Sequence, residues 1–157
     1  MVFISHRQVD KDAAVLLSQI LKDKGVQSWV DVLDPPKNNI DITKHIMSNL
    51  NRCSHVIVLF TFNTAGSMWV PFELGAAYKG EKGIATYLLN NVETPGYLDA
   101  FPRMKNSQDL NSFAAEYLQD QKITKSRSIN ESYNLSQSAT AGTADAFIQR
   151  MKSRLGP

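Results

Sequence analysis

The sequence predicts an α/β protein: a central parallel sheet with helices on both faces. Three observations carry this. Short apolar, β-branched runs alternate along the chain with segments whose apolar residues recur at helical spacing. The longest β-branched run, "HVIVLFTF" (55–62), is apolar almost throughout, as a strand buried on both faces must be. Turn-forming Gly, Pro, Asp and Asn separate the runs. Strand, helix, strand, helix in strict alternation leaves parallel pairing with crossover helices as the simplest arrangement.

The elements follow in order. "VFIS" (2–5) reads as a first, buried strand. "DKDAAVLLSQILKDKG" (10–25) carries Ala13, Leu16, Leu17, Ile20 and Leu21 on a helical stripe, with Asp10 as N-cap and Gly25 as its stop. "VQSWVDV" (26–32) alternates as a second strand, and "LDPPKNN" (33–39) breaks it, since Pro35 and Pro36 suit neither a helix interior nor a central strand. Asp41 opens a helix over "ITKHIMSNLNRC", and residues 55–62 form the central strand. "MWVPFELGAAYKG" (68–80) is the next helix, starting at or just before Pro71, which places Glu73 in its first turn. "GIATYLLN" (83–90) is a further strand. Helices are expected over 107–120 and 143–155, with the Ser/Thr/Asn-rich stretch 122–143 as an exposed loop.

Composition narrows the function. At 157 residues the chain is most simply one domain, 1–157, and 20% charged residues fit a packed fold rather than a disordered chain. A net charge of +2 without a dense Lys/Arg block gives no nucleic-acid partner. No apolar run reaches the length of a membrane span and the N-terminus lacks a signal-peptide core, so the expectation is a cytoplasmic protein with no membrane partner. With Cys53 alone, neither an internal disulfide nor a cysteine metal cluster can form. Asp31 and Asp34 have no His or Cys beside them at ligand spacing, so no metal is expected.

Ligands of such sheets bind at the carboxyl ends of the strands. Here those ends are the "SHRQVD", "DVLDPPKNN" and "TFNTAGSMW" loops, the last leading into the helix of Glu73. A lone acid among Trp69, Phe72, Leu74, Ala76 and Ala77 is the singular residue of that helix. The residues alone leave two readings open for Glu73, a helix-end charge or a functional carboxylate. Trp69, four residues earlier, reads as core or as a pocket wall, and Arg7 as a solvated loop residue or an anion ligand. His45 and His55 have no partner at triad spacing, and no Gly-rich phosphate loop is present.

In register, "VFISHR" (2–7), "SWVDV" (28–32), "LDPPKNN" (33–39), "HVIVLF" (55–60) and "WVPFE" (69–73) resemble the Toll/interleukin-1 receptor (TIR) domain family, over about residues 2–90. Residues 91–157 complete or extend the domain. The resemblance implies a flavodoxin-like TIR fold and, in the enzymatic branch of the family, cleavage of NAD+ at the nicotinamide–ribose bond. It places the catalytic glutamate at Glu73 and implies that Phe3, Ser5, His6, Arg7, Asp31 and Trp69 line the substrate site. NAD+ is then substrate, and no resident cofactor is implied.

At "ISHR" and "WVPFE" the chain resembles the animal axon-degeneration and the bacterial TIR enzymes most, and the resemblance to the bacterial type implies anti-phage defence by way of free, cyclic or otherwise modified ADP-ribose. Self-association through the 33–39 (BB-type) loop and a separate sensor or effector protein are implied partners. Departures are visible: "FTFNTAGS" replaces the family's usual Ser-x-x-aromatic step, and 33–39 lacks the usual glycine. The alternative is a TIR scaffold without catalysis, acting by homotypic contact. A phosphoacceptor receiver is excluded by the missing acids after the first and third strands. A nucleoside deoxyribosyltransferase fits the order of motifs less well.

Overall fold

A computed structural model describes residues 1–30, 41–90, 92–131 and 144–155. Strand β1 (Val2–Ser5) leads through a 3-10 turn (Gln8–Asp10) into α1 (Lys11–Asp23), then β2 (Ser28–Val30). Helix α2 (Ile42–Asn51), β3 (His55–Phe60), a second 3-10 turn (Phe62–Gly66), α3 (Trp69–Lys79) and β4 (Gly83–Leu88) follow. Beyond the predicted strands lies β5 (Arg103–Met104), then α4 (Ser107–Glu131) and α5 (Ala144–Leu155). The five strands pair in parallel in the order β2-β1-β3-β4-β5. This is the doubly wound, flavodoxin-like order, with β3 central as its β-branched run demanded.

Register shows why helices cover both faces. Adjacent residues of parallel strands point to the same side, so Phe3, Val56 and Trp29 share one face and Val2, Ser28 and His55 the other. On the first face Phe3 stacks on Trp29 at 5.0 Å between centroids, and Trp29 leans on His45 of α2. On the second, Ser28 shares a hydrogen bond with Ser18 of α1 (2.8 Å), while His55 meets the edges of Phe113 and Tyr117 of α4 and Phe147 of α5. Gly83 makes room there: a β-carbon would fall 2.4 Å from the His55 ring and 2.9 Å from that of Phe147.

Helices α4 and α5 are joined by charge as well as by apolar packing. The buried Glu116 accepts from Arg150 Nε (2.7 Å) and pairs with the Arg154 guanidinium (Nε at 2.6 Å), and Asp120 accepts from Arg150 Nη2 at 3.1 Å. A buried carboxylate is tolerated because two guanidinium groups replace its water.

Two expectations about local structure change. Asp10 precedes α1 as foreseen, but its side chain makes no cap hydrogen bond to the helix. By contrast Asp41 does cap α2, accepting from the Lys44 amide. Helix α4 runs on to Glu131, so 122–131 is helix and not loop; residues 122–126 are mostly exposed, and an exposed stretch of helix is polar without ceasing to be a helix. Asp31, Pro35, Pro36 and the 33–39 loop lie outside the described residues, as do 132–143.

Candidate functional site

In the order 2-1-3-4-5 the chain leaves β1 toward one face and β3 toward the other. The switch point, where sheets of this order bind ligands, therefore lies at the carboxyl ends of these two strands. Ser5 ends β1 beside Val58 of β3 and lies on the face that α3 covers. There its hydroxyl donates to Glu73 Oε2 at 2.5 Å, with both side chains buried.

Glu73 comes to this place by helical arithmetic. The buried residues of α3 are Val70, Glu73, Leu74 and Ala77, spaced as one stripe of a helix facing the sheet. The carboxylate thus occupies a core position and is only 6% exposed. The reading of Glu73 as a solvated helix-end charge does not survive this. Nor does its placement in the first turn: α3 begins at Trp69, so Pro71 is its third residue and Glu73 its fifth. The proline fits there because the first four amides of a helix have no intrahelical acceptor anyway. An acid on a buried stripe costs stability unless it is hydrogen-bonded, and Ser5 meets part of that cost.

The other sequence-predicted residues are distributed unevenly. Phe3 is buried against Trp29, because residue i−2 of a strand shares the face of Ser5 but lies deeper in the sheet; its side chain belongs to the core and not to a cleft wall. His6 contributes Nδ1–H to the Ile4 carbonyl at 3.1 Å, which assigns the proton to Nδ1, since a carbonyl only accepts. In the neutral ring Nε2 is then an acceptor, and among the described residues it is buried without a hydrogen-bond partner. Arg7 is exposed and donates from Nη1 to the Asn63 carbonyl at 2.7 Å. Trp69 opens α3 one turn before Glu73, half exposed and edge-on to the equally exposed Phe72 at 5.8 Å. Met68 and Phe62 nearby in the chain are more exposed still, so this end of α3 is less buried than its apolar sequence suggested. Asp31 lies outside the described residues.

One group of site-adjacent residues escaped the sequence reading. Asp10 turns both carboxylate oxygens away from α1, accepting from Thr61 Oγ1 at 2.7 Å and Asn63 Nδ2 at 2.8 Å. The turn they belong to is closed by a Thr61–Thr64 capping box. Its signal, Thr-x-x-Thr directly after an apolar strand, is visible in "TFNT" (61–64) once a capped turn is looked for.

Elsewhere, a groove of about 710 Å³ runs between β5 and the end of α5. Its cations are largely engaged: Arg103 pairs with Asp99, and Lys152 donates to the Asp99 carbonyl. Among the described residues no three His, Cys, Asp or Glu side chains gather as a metal site, and no helix is long and apolar enough to cross a membrane.

The sequence matches the family profile described as TIR domain over residues 2–122, well over half the chain and past the 2–90 stretch of the motifs. The chain belongs to the TIR domain family. Solved structures agree on the fold. The TIR domain of the Toll-related receptor TRR-2 from Hydra magnipapillata aligns at a TM-score of 0.56 and 18% identity, over 66% of this chain and 81% of that one. A TIR-STING receptor from C. gigas aligns at 0.53 and 16%, over 83% of this chain and 52% of its own. A 2-deoxyribosyltransferase from Bacillus psychrosaccharolyticus aligns at 0.58 and 12%, over 70% and 89%. At such identities the likeness is one of fold, and this TIR domain's chemistry must be argued from its own residues. The sequence has no significant match among curated proteins.

Proposed function

We propose that this TIR domain cleaves the nicotinamide–ribose bond of NAD+, with Glu73 as the catalytic carboxylate. The observation that carries the reading is a single acid on the sheet-facing stripe of α3, hydrogen-bonded to Ser5 at the switch point of the sheet. An acid kept in a core position against its desolvation cost is more economically explained by chemistry than by stability.

In the reaction the bond from C1′ to the pyridinium nitrogen breaks, and its electron pair goes to nicotinamide, which leaves neutral. Positive charge develops on the ribose ring, and a fixed carboxylate in a water-poor crevice stabilises it or holds the ribose hydroxyls. Water then adds to C1′ and releases a proton, giving ADP-ribose; an internal nitrogen adding instead gives a cyclic isomer. Ser5 holds Glu73 in one rotamer. The His6 Nε2 lone pair suits a ribose or carboxamide donor, and the exposed Arg7 suits the pyrophosphate. NAD+ is bound as a substrate, without a resident cofactor.

Self-association through the 33–39 loop and a role in bacterial anti-phage signalling, with a separate sensor or effector, complete the reading. The half-exposed pair Trp69–Phe72 supports an assembling surface. That same surface favours the alternative, a scaffold that acts by contact alone. Chromatographic analysis of NAD+ incubated with concentrated wild type and with Glu73→Gln separates the two. The enzyme reading expects nicotinamide and an ADP-ribose product from wild type and neither from folded Glu73→Gln. Intact NAD+ with concentrated wild type, or equal turnover by the variant, would refute it.

A further inference from the structure

We infer that Asp10 is a positioning residue for this site, a buried carboxylate that clamps the loop after β3 to the loop after β1. An acid in the residue before a helix ordinarily turns back to cap it, accepting from the amides of the first turn. Asp10 does not. Its two oxygens are divided between Thr61 and Asn63, and the Asn63 carbonyl in turn holds Arg7. Three hydrogen bonds therefore join the two loops that flank the switch point, and the carboxylate at their centre is only 9% exposed.

The clamp acts on what the loops carry. Thr61 also accepts from the Asn63 amide, and its own amide donates to Thr64 Oγ1, so the turn over Phe62–Gly66 is braced from within; Thr64 ties it back to the Leu59 carbonyl of β3, and Asp10 and Arg7 hold it to the loop after β1. Arg7 gains a set position from the same carbonyl. Glu73 and Ser5, by contrast, meet inside the core and have no hydrogen bond to Asp10. Releasing the clamp should therefore disturb the hold on the substrate's far end more than the chemical step. A simple helix cap or a general stabiliser would not make that distinction.

The kinetic half of this inference rests on the NAD+ reading; the mechanical half does not. Steady-state kinetics with NAD+ and amide hydrogen exchange on the same proteins test the two halves. In Asp10→Ala, KM should rise about tenfold or more with kcat within about threefold, as for loss of charge-assisted hydrogen bonds that position the substrate. Exchange should quicken at 6–10 and 61–67 and stay unchanged in β3 and α3. Thr61→Ser, which keeps the hydroxyl, should behave as wild type, whereas Thr61→Val should follow Asp10→Ala. Asn63→Ala, which removes one donor and keeps the Arg7 acceptor, serves if Asp10→Ala does not fold.

Unchanged exchange in the two loops overturns the clamp. A fall in kcat that tracks thermal stability at constant KM overturns the positioning role and makes Asp10 structural. A wild type that leaves NAD+ intact sinks the enzyme reading and the kinetic role with it, and exchange still decides the clamp.

Discussion

Lowering the pH should destabilise this protein through His55. The imidazole lies on the sheet face under α4 and α5, 1% exposed, with its Nδ1 3.0 Å from the Ser54 hydroxyl. Burial depresses its pKa from 6.5 to about 3, helped by the positive charges of the N-terminus, Arg150 and Lys82. Asp120 Oδ2 lies 3.4 Å from Nε2 and would oppose this, but Arg150 already neutralises that carboxylate and Nε2 makes no hydrogen bond to it. Desolvation therefore wins. Because the folded pKa is the lower one, the unfolded chain takes up the proton first. Stability is then full above about pH 6.5 and is lost as pH falls toward 3. Each pH unit inside that window is worth up to about 1.4 kcal/mol, so at about pH 4.5 the single residue costs about 2–3 kcal/mol. Urea unfolding of wild type and His55→Leu at pH 7.5 and about 4.5 measures it. The variant is less stable at neutral pH, since it loses three ring contacts, but it should lose about 2–3 kcal/mol less on acidification. Carboxylates titrate in both proteins and cancel in the comparison. Equal losses in the two would show that the buried ring is protonated in the fold and would refute the argument.

Ser5→Ala should remove the donor to a buried carboxylate, at about 1.5–3 kcal/mol; under the NAD+ reading kcat/KM falls about tenfold to a hundredfold, and an unaltered kcat/KM would deny Ser5 its role. Gly83→Ala forces a methyl into the rings of His55 and Phe147, and thermal denaturation should show a loss of about 1–3 kcal/mol. Glu116→Gln takes the charged partner from Arg154 and leaves Arg150 with Asp120 alone where α4 meets α5. Chemical denaturation should report a loss of about 2 kcal/mol, smaller in high salt, and a gain in stability would contradict the clamp of charges drawn here.

The order of elements was legible because a parallel sheet leaves a strong periodic trace: "HVIVLF" is apolar on both faces, and α1, α2 and α5 each carry one apolar stripe. So was the singularity of Glu73, as the lone acid of an apolar helix. Its neighbourhood was not. Sequence spacing could not show that Glu73 falls on the stripe with Val70, Leu74 and Ala77, because that depends on where α3 begins, and Pro71 allowed more than one start. Strand β5 is two residues long, too short for any period, and is held by its pairing with Thr86 and Tyr87. The polar end of α4 looked like loop because exposure and irregularity share a composition.

By itself, then, the sequence determined the alternation of strand and helix and the loops at which a site could form, since these follow from local periodicity and turn chemistry. Tertiary structure alone decided the long-range polar pairings: at the candidate site Ser5 with Glu73 across 68 residues and Asp10 with Thr61 and Asn63 across more than 50, and away from it Glu116 between two arginines of α5. Such partners are brought together by the strand order of the sheet. A polar side chain chooses among local and distant donors only after the backbone has set which of them it can reach.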